Sequence, residues 1–353
     1  MSAVSLAIVG SGAMAAYHVS RFGGFPNVTL SACYDRSRDR ARRFASVHSI
    51  PHAYDSFERM LAEEQPDAVA VAVADAEHFA VSRRSLERGV ALFVEKPLTR
   101  TLEEAELLGN LDCSIPAVCN FSKVNYPALF GAVHLIRQGV IGELKRVELS
   151  YLQSWLGSTI WGEWWRNPRW LWRLSSSHGG GGALRDLGSH LFYLLRVIVG
   201  ESSVTAASSW QAESRRLAEG SGYTCDQDDT AEVSLISDGG AESIVRVSYA
   251  APGHVNNVIL VARGETGTLH VELAESKEEV TVRRRASKNS GVEDTGERRY
   301  RFSKVYSTYD EFIRLVTGGW ANTHWFSPPS IKDGIEVQRL IEGAESRSGS
   351  SLR

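Results

Sequence analysis

Five short apolar runs, at residues 6–9, 28–33, 68–73, 91–94 and 117–119, punctuate the first third of the chain. Each is apolar at consecutive positions, which is what a strand buried on both faces requires. Between them, residues 38–47, 78–88 and 102–111 repeat their apolar positions at helical spacing. Thr101 ahead of Glu103 and Glu104 reads as a capped helix start, and Gly89 as a helix stop. Strands alternating with helices in this way predict a parallel, doubly wound sheet with right-handed crossovers.

The pattern changes after about Asn120. A helical run at 127–138 precedes a strand at 144–151 and then a segment holding six of the nine tryptophans. Alternating runs follow at 230–236, 243–249, 258–261, 268–273 and 280–284, separated by Asp238-Gly239-Gly240, Pro252-Gly253 and Gly264-Glu265-Thr266-Gly267. One-sided alternation predicts a large, mostly antiparallel open sheet with one covered face. Helices at 307–316 and 330–345 complete an α+β second domain, and the Ser/Arg-rich tail after Ser346 is expected to fray.

Composition adds limits. A chain of 353 residues is more than one core usually serves, so two domains are expected, at 1–122 and 123–353. A net charge of −3 gives no general attraction to nucleic acid, and Arg283-Arg284-Arg285 reads as a solvated hairpin. Cys33, Cys113, Cys119 and Cys225 lack paired ligand spacing, so no metal site is expected and reduced thiols of a cytoplasmic protein fit best. Cys33 reads as a small buried hydrophobe. The first apolar run is too short for a signal peptide, and no stretch approaches the roughly twenty residues of a membrane span.

Gly10-Ser11-Gly12-Ala13-Met14-Ala15 follows the first strand directly and opens a helix. The first glycine permits the tight turn, the second lets backbone amides reach a pyrophosphate, and Ala15 lets the helix pack closely. Residues 1–122 therefore read as a Rossmann dinucleotide-binding domain, with Gly10, Gly12, Ala13 and Met14 at the cofactor. Asp35, ending the second strand, can accept hydrogen bonds from an adenosine ribose and would repel a 2′-phosphate, which favours NAD. Arg36 and Arg38 could instead pair with that phosphate, so NADP stays possible.

Two further motifs carry chemistry. Glu95-Lys96-Pro97 closes the strand at 91–94, at the end of a parallel strand where open α/β sheets bind ligands. Asp186-Leu187-Gly188-Ser189-His190 precedes an apolar helix. A cofactor cradle, a positioned cation and an imidazole proton carrier are what hydride transfer between an alcohol and a ketone needs. Each residue also has a plainer reading: Lys96 as an exposed strand end, His190 as a satisfied polar group, Asp186 as a helix cap. Asp186 and His190 are four apart, so in an α-helix they share one face.

In this order the motifs resemble the Gfo/Idh/MocA oxidoreductases, which include glucose-fructose oxidoreductase and inositol dehydrogenases. The likeness runs through Ala7-Ile8-Val9-Gly10-Ser11-Gly12, Asp75-Ala76-Glu77-His78, Glu95-Lys96-Pro97, Ile136-Arg137-Gln138-Gly139-Val140-Ile141-Gly142 and Gly180-Gly181-Gly182-Ala183-Leu184-Arg185-Asp186-Leu187-Gly188-Ser189-His190. The resemblance implies that Lys96 hydrogen-bonds the reacting oxygen and His190 exchanges its proton. Asp186 would bind a neighbouring hydroxyl or orient the imidazole. Glu95 would meet the nicotinamide ribose or polarise its loop, with Ala74 and His78 beside the cofactor. It also implies a homodimer or homotetramer.

The sequence departs from the family pattern at Tyr193, where many members have aspartate, at Ala74-Asp75, and at Lys123, near which an arginine is often found. Trp155, Trp161, Trp164, Trp165, Trp170 and Trp172, with Arg166, Arg169 and Arg173, could hold a sugar ring, form a lid or subunit contact, or pack as core. Lys123, Trp172 and Arg173 are the further substrate candidates. The run at 179–182 suits a close backbone approach or a hinge. The expected activity is NAD(P)-dependent oxidation of a secondary alcohol of a sugar, inositol or related polyol. The alternatives are a non-catalytic dinucleotide-binding regulator and a glycosidase that oxidises its substrate transiently.

Overall fold

A computed structural model describes residues 3–112, 114–159, 162–212, 221–284, 296–303, 306–319 and 326–348. The chain divides into two compact units, residues 1–121 with 307–338, and residues 122–306 with 339–353.

The first unit opens with β1 (Val4–Val9), α1 (Ala13–Phe22), β2 (Val28–Tyr34), α2 (Arg38–His48), β3 (His52–Tyr54) and α3 (Phe57–Glu64). It continues through β4 (Ala68–Val71), α4 (Asp75–Glu87), β5 (Ala91–Val94), α5 (Leu102–Gly109) and β6 (Ala117–Cys119). The strands form one parallel sheet in the order β3-β2-β1-β4-β5-β6. Every residue of β4 and β5 is buried, as consecutive apolar positions require. Thr101 and Glu104 close a capping box on α5. The helix expected from 78 begins at Asp75, and β3 and α3 lie outside the apolar runs read from the sequence.

The second unit contains α6 (Pro127–Arg137), β7 (Leu144–Leu152), α7 (Pro168–Leu171), α8 (Ser189–Val199), β8 (Ser202–Trp210), β9 (Thr230–Ser237) and β10 (Glu242–Ser248). After these come β11 (Asn257–Gly264), β12 (Gly267–Glu272), β13 (Glu279–Arg284) and β14 (Gly296–Arg301). The eight-stranded sheet runs β14-β13-β12-β11-β7-β10-β9-β8, antiparallel except for the β7–β10 pair. Val147, Leu149 and Tyr151 alternate into the core, as do Val258, Leu260 and Ala262. The other face carries an ionic lattice in which Glu148 meets Arg146 at 3.1 Å, Arg246 at 3.6 Å, and Arg263. Two edge strands carry little apolar signal: β8 is serine- and alanine-rich, and β14 is charged.

The last third corrects the expected boundary. Helices α9 (Thr308–Val316) and α10 (Ile331–Arg347) follow the sheet in sequence. The segment from Ser307 to Gln338 nevertheless belongs with the first unit and not with everything after 122. Tyr309, Phe312 and Ile313 of α9 join the core built by Leu6, Ile8, Phe22 and Phe93. Burying that apolar face decides the placement.

Cys33, Cys119 and Cys225 form no disulfide, and Cys113 lies outside the described residues. Cys33 is buried, as expected of a small hydrophobe. Among the described residues no helix is long and apolar enough to cross a membrane, and no cluster has metal-ligand character.

Candidate active site

At the glycine turn, Gly10 takes φ +108°, and a Cβ there would lie 2.4 Å from the Ala72 carbonyl oxygen. Only glycine fits. A Cβ on Gly12 would meet nothing within 4 Å, and Gly12 caps α1 without any side-chain hydrogen bond. The first amides of α1 thus face open space with a favourable dipole, a cradle suited to a pyrophosphate. Ala15 is fully buried, which lets α1 lie close on the sheet, whereas Met14 is 43% exposed. These residues fit the dinucleotide.

Asp35, buried at the end of β2, accepts the Ser37 N–H at 2.9 Å on Oδ1 and is hydrogen-bonded by Ser11. The arginine that pairs with it is Arg40, at 3.1 Å. Arg36 pairs with Glu77 at 3.1 Å, and Arg38 lies 4.0 Å from Asp55. Arg40 is the residue missed at this position; its place on the first turn of α2 was the available signal.

Lys96 follows β5, and its backbone N–H donates to Glu95 Oε2 at 3.3 Å. The Glu95 carboxylate is buried in the fold, where Asn120 Nδ2 donates to Oε1 at 2.7 Å and His18 Nε2 lies 3.3 Å away. Burial opposes ionisation, yet His18, Asn120 and Lys96 together hold this carboxyl below its ordinary range. Its partners among the described residues are thus a backbone amide of its own loop, an amide side chain and an imidazole. His78, the fourth residue of α4, is buried too, and its Nδ1 pairs with the Pro97 carbonyl at 2.8 Å. It ties α4 to the Lys96–Pro97 turn. Ala74 is the residue before α4.

In the second unit, His190 is the second residue of α8 and buried, its ring 6.2 Å from that of Tyr151. The Lys123 ammonium lies 4.4 Å from the same tyrosine ring. Tyr151 donates to Asn256 at 2.8 Å, and burial holds its phenol well above the ordinary value. Asp186 accepts from the Tyr249 hydroxyl at 2.8 Å and lies 3.4 Å from Arg173 Nε. Arg173 in turn lies 4.7 Å over the Trp172 ring and 5.1 Å over Trp170. Tyr151 thus lies beside Lys123 and His190, and Tyr249 beside Asp186, although the sequence marks both only as apolar strand ends.

The spacing of Asp186 and His190 has a different basis from the α-helical one expected. Residues Leu184–Gly188 form a π-turn that runs directly into α8, so Asp186 sits on a wider turn than the α-helix expected and His190 on α8 itself. Asp186 does not cap α8, which has no side-chain cap. Asp228 supports the turn: its Oδ2 accepts the Leu184 N–H at 2.9 Å, and its own carbonyl accepts the Ala183 N–H at 3.0 Å. A Cβ on Gly182 would lie 2.2 Å from Asp228 Oδ1, so the glycine run serves close approach here. Burial pushes the Asp228 carboxyl up to about 7.

The tryptophans divide. Trp155 and Trp164 are core residues, packed edge-on with centroids 5.7 Å apart, and Trp155 lies 4.8 Å from Tyr249. Trp170 and Trp172 flank Arg173, while Trp161 and the Arg169 side chain lie outside the described residues. Tyr193, at the departure from the family pattern, is buried in α8.

A parallel sheet with an open glycine turn at its first strand, joined to a second unit built on an eight-stranded sheet, defines a dinucleotide-dependent oxidoreductase architecture. Residues 4–112 match the Gfo/Idh/MocA oxidoreductase family with its NAD-binding Rossmann fold, and residues 132–270 match the Gfo/Idh/MocA C-terminal domain. The chain belongs to this family and is an NAD(P)-dependent oxidoreductase. It is 25% identical to levoglucosan dehydrogenase of Pseudarthrobacter phenanthrenivorans, covering 98% of this chain and 95% of that protein. It is 22% identical to the NADP(+)-dependent scyllo-inositol 2-dehydrogenase of Bacillus subtilis, covering 89% and 88%. The solved levoglucosan dehydrogenase in complex with NADH and levoglucosan shares the fold, with a TM-score of 0.83 at 20% identity, over 99% of this chain and 98% of that one.

Proposed function

We propose that this protein moves a hydride between nicotinamide and a secondary alcohol or ketone of a sugar, inositol or related polyol. The observation that carries the reading is the cradle at Gly12 in a sheet whose β5 ends in Glu95-Lys96-Pro97. The names of the sugar and inositol dehydrogenases above support the substrate class. The nicotinamide, when bound, accepts or returns the hydride. In this reading the Lys96 ammonium stabilises negative charge developing on the reacting oxygen, and His190 takes or returns its proton. Asp186, with its Tyr249 and Arg173 partners, receives a neighbouring hydroxyl. Lys123 and Trp172 complete the polar and aromatic lining.

A panel of polyols assayed by nicotinamide absorbance tests the reading. His190→Ala is expected to lower turnover by about 10²–10⁴-fold with NADH affinity retained. Unchanged turnover would remove His190 from the chemistry. NADH binding with no redox change on any polyol would favour a regulator, and glycoside cleavage without net reduction a glycosidase.

A further inference from the structure

Behind Glu95 lies a buried polar chain that runs into the far end of the sequence. His18 on α1 is fully buried; its Nδ1 pairs with the Tyr309 hydroxyl at 3.0 Å and its Nε2 faces Glu95 Oε1. Asn120, also buried, gives one amide hydrogen to Glu95 Oε1. Its carbonyl oxygen accepts the Thr308 hydroxyl at 3.0 Å, which fixes the direction in which the amide faces. Aromatic rings wall the chain: His18 packs edge-on to Phe93 at 5.4 Å, and Tyr309 lies 4.9 Å from Phe93 and 5.0 Å from Phe22. Buried among these rings, each polar group depends on its protein partner.

We propose that Thr308 and Tyr309 of α9, acting through Asn120 and His18, are positioning residues that set Glu95 and thereby the Lys96 loop. One oxygen of Glu95 is held by this chain and the other accepts the Lys96 N–H, so the carboxylate has no slack. Loss of the Thr308 hydroxyl frees the Asn120 amide to turn. Loss of the Tyr309 hydroxyl frees the His18 ring. Either change lets Glu95 move and carries Lys96 with it. A helix about two hundred residues further along the sequence is thus a working part of the loop, beyond its share of the core.

The proposal rests on the role given to Lys96 above, so its test has one readout that needs no turnover. Lysines of Thr308→Val, Thr308→Ser, Tyr309→Phe and the parent protein are reductively methylated with ¹³C-formaldehyde, and the Lys96 signal is assigned by its loss in Lys96→Arg. The Lys96 signal is expected to shift in Thr308→Val and Tyr309→Phe and to stay in place in Thr308→Ser, which keeps the hydroxyl. Identical Lys96 signals in all four proteins would overturn the proposal, whatever the enzyme acts on. Given a turned-over polyol, Thr308→Val and Tyr309→Phe should lower kcat by about ten- to a hundredfold with KM and NADH affinity within about twofold. A fall in thermal stability with kcat unchanged would reduce the chain to packing. A kcat loss in Thr308→Ser equal to that in Thr308→Val would do the same. If the Lys96 signal shifts as expected but no polyol is oxidised, the positioning stands and the substrate reading fails.

Discussion

Glu95 in the first unit and Asp228 in the second are both buried carboxyls supporting a turn that carries candidate residues, yet they ionise in opposite ways. Glu95 is met by an amide, an imidazole and the Lys96 charge, which together outweigh burial. Asp228 is met by backbone hydrogen bonds from Leu184 and from its own main chain, against burial and the like charges of Glu345 and Asp229, so burial prevails. Burial alone does not set a carboxyl's state; the number and sign of its partners do.

The strongest way to break this comparison is to remove each group. Glu95→Ala should lower unfolding free energy by about 3–5 kcal/mol, because it strips partners from His18 and Asn120. Asp228→Asn, which keeps an acceptor for Leu184, should be near neutral or stabilising at pH 8. Equal losses in chemical denaturation would end the distinction.

The pH dependence sharpens it. Below its ordinary value of 3.8 Asp228 is protonated folded and unfolded alike. As pH rises, the unfolded chain loses this proton first while the folded one keeps it until about 7. Stability from this group therefore falls between those pH values and is flat above, by on the order of a few kcal/mol. Glu95 has the opposite sign: its folded value is lowered, so its stabilisation is present above the ordinary carboxyl range and lost on acidification. Melting curves of the parent protein and Asp228→Asn from pH 4 to 8 should converge at the acid end and separate toward neutrality.

Smaller effects probe each unit's edge. Tyr249→Phe removes one donor to Asp186 and should weaken substrate binding by about 1–3 kcal/mol, seen as a raised KM. Arg40→Gln should cause the least change in stability, since the side chain is over half exposed, but it should shift the NADP/NAD preference toward NAD. No shift in that ratio would leave Arg40 as a surface partner of Asp35.

Much of the fold is legible in the chain because its signals are local. Consecutive apolar positions mark the parallel strands, alternation marks the open sheet, and Gly10 and Gly12 sit where a strand meets a helix. The short β3, the serine-rich β8 and the charged β14 carry no such pattern. Lys96 stands out because a charge closes an apolar run, and Asp186 and His190 because polar residues open one. Tyr151, Tyr249, His18 and Tyr309 do not, because an aromatic ring in an apolar run looks like core until its hydroxyl or ring nitrogen meets a partner distant in sequence.

The amino-acid order by itself determined the strands and helices of the first sheet, the glycine cradle and the residue types available for proton and charge transfer, since each depends on neighbours within a few positions. Tertiary structure alone decided that α9 returns to the first unit, that Asp186 lies on a π-turn leading into α8, and that Asp228 and Glu95 ionise differently. Those outcomes depend on which groups distant in the chain share one buried space, where a single hydrogen bond or charge changes the balance.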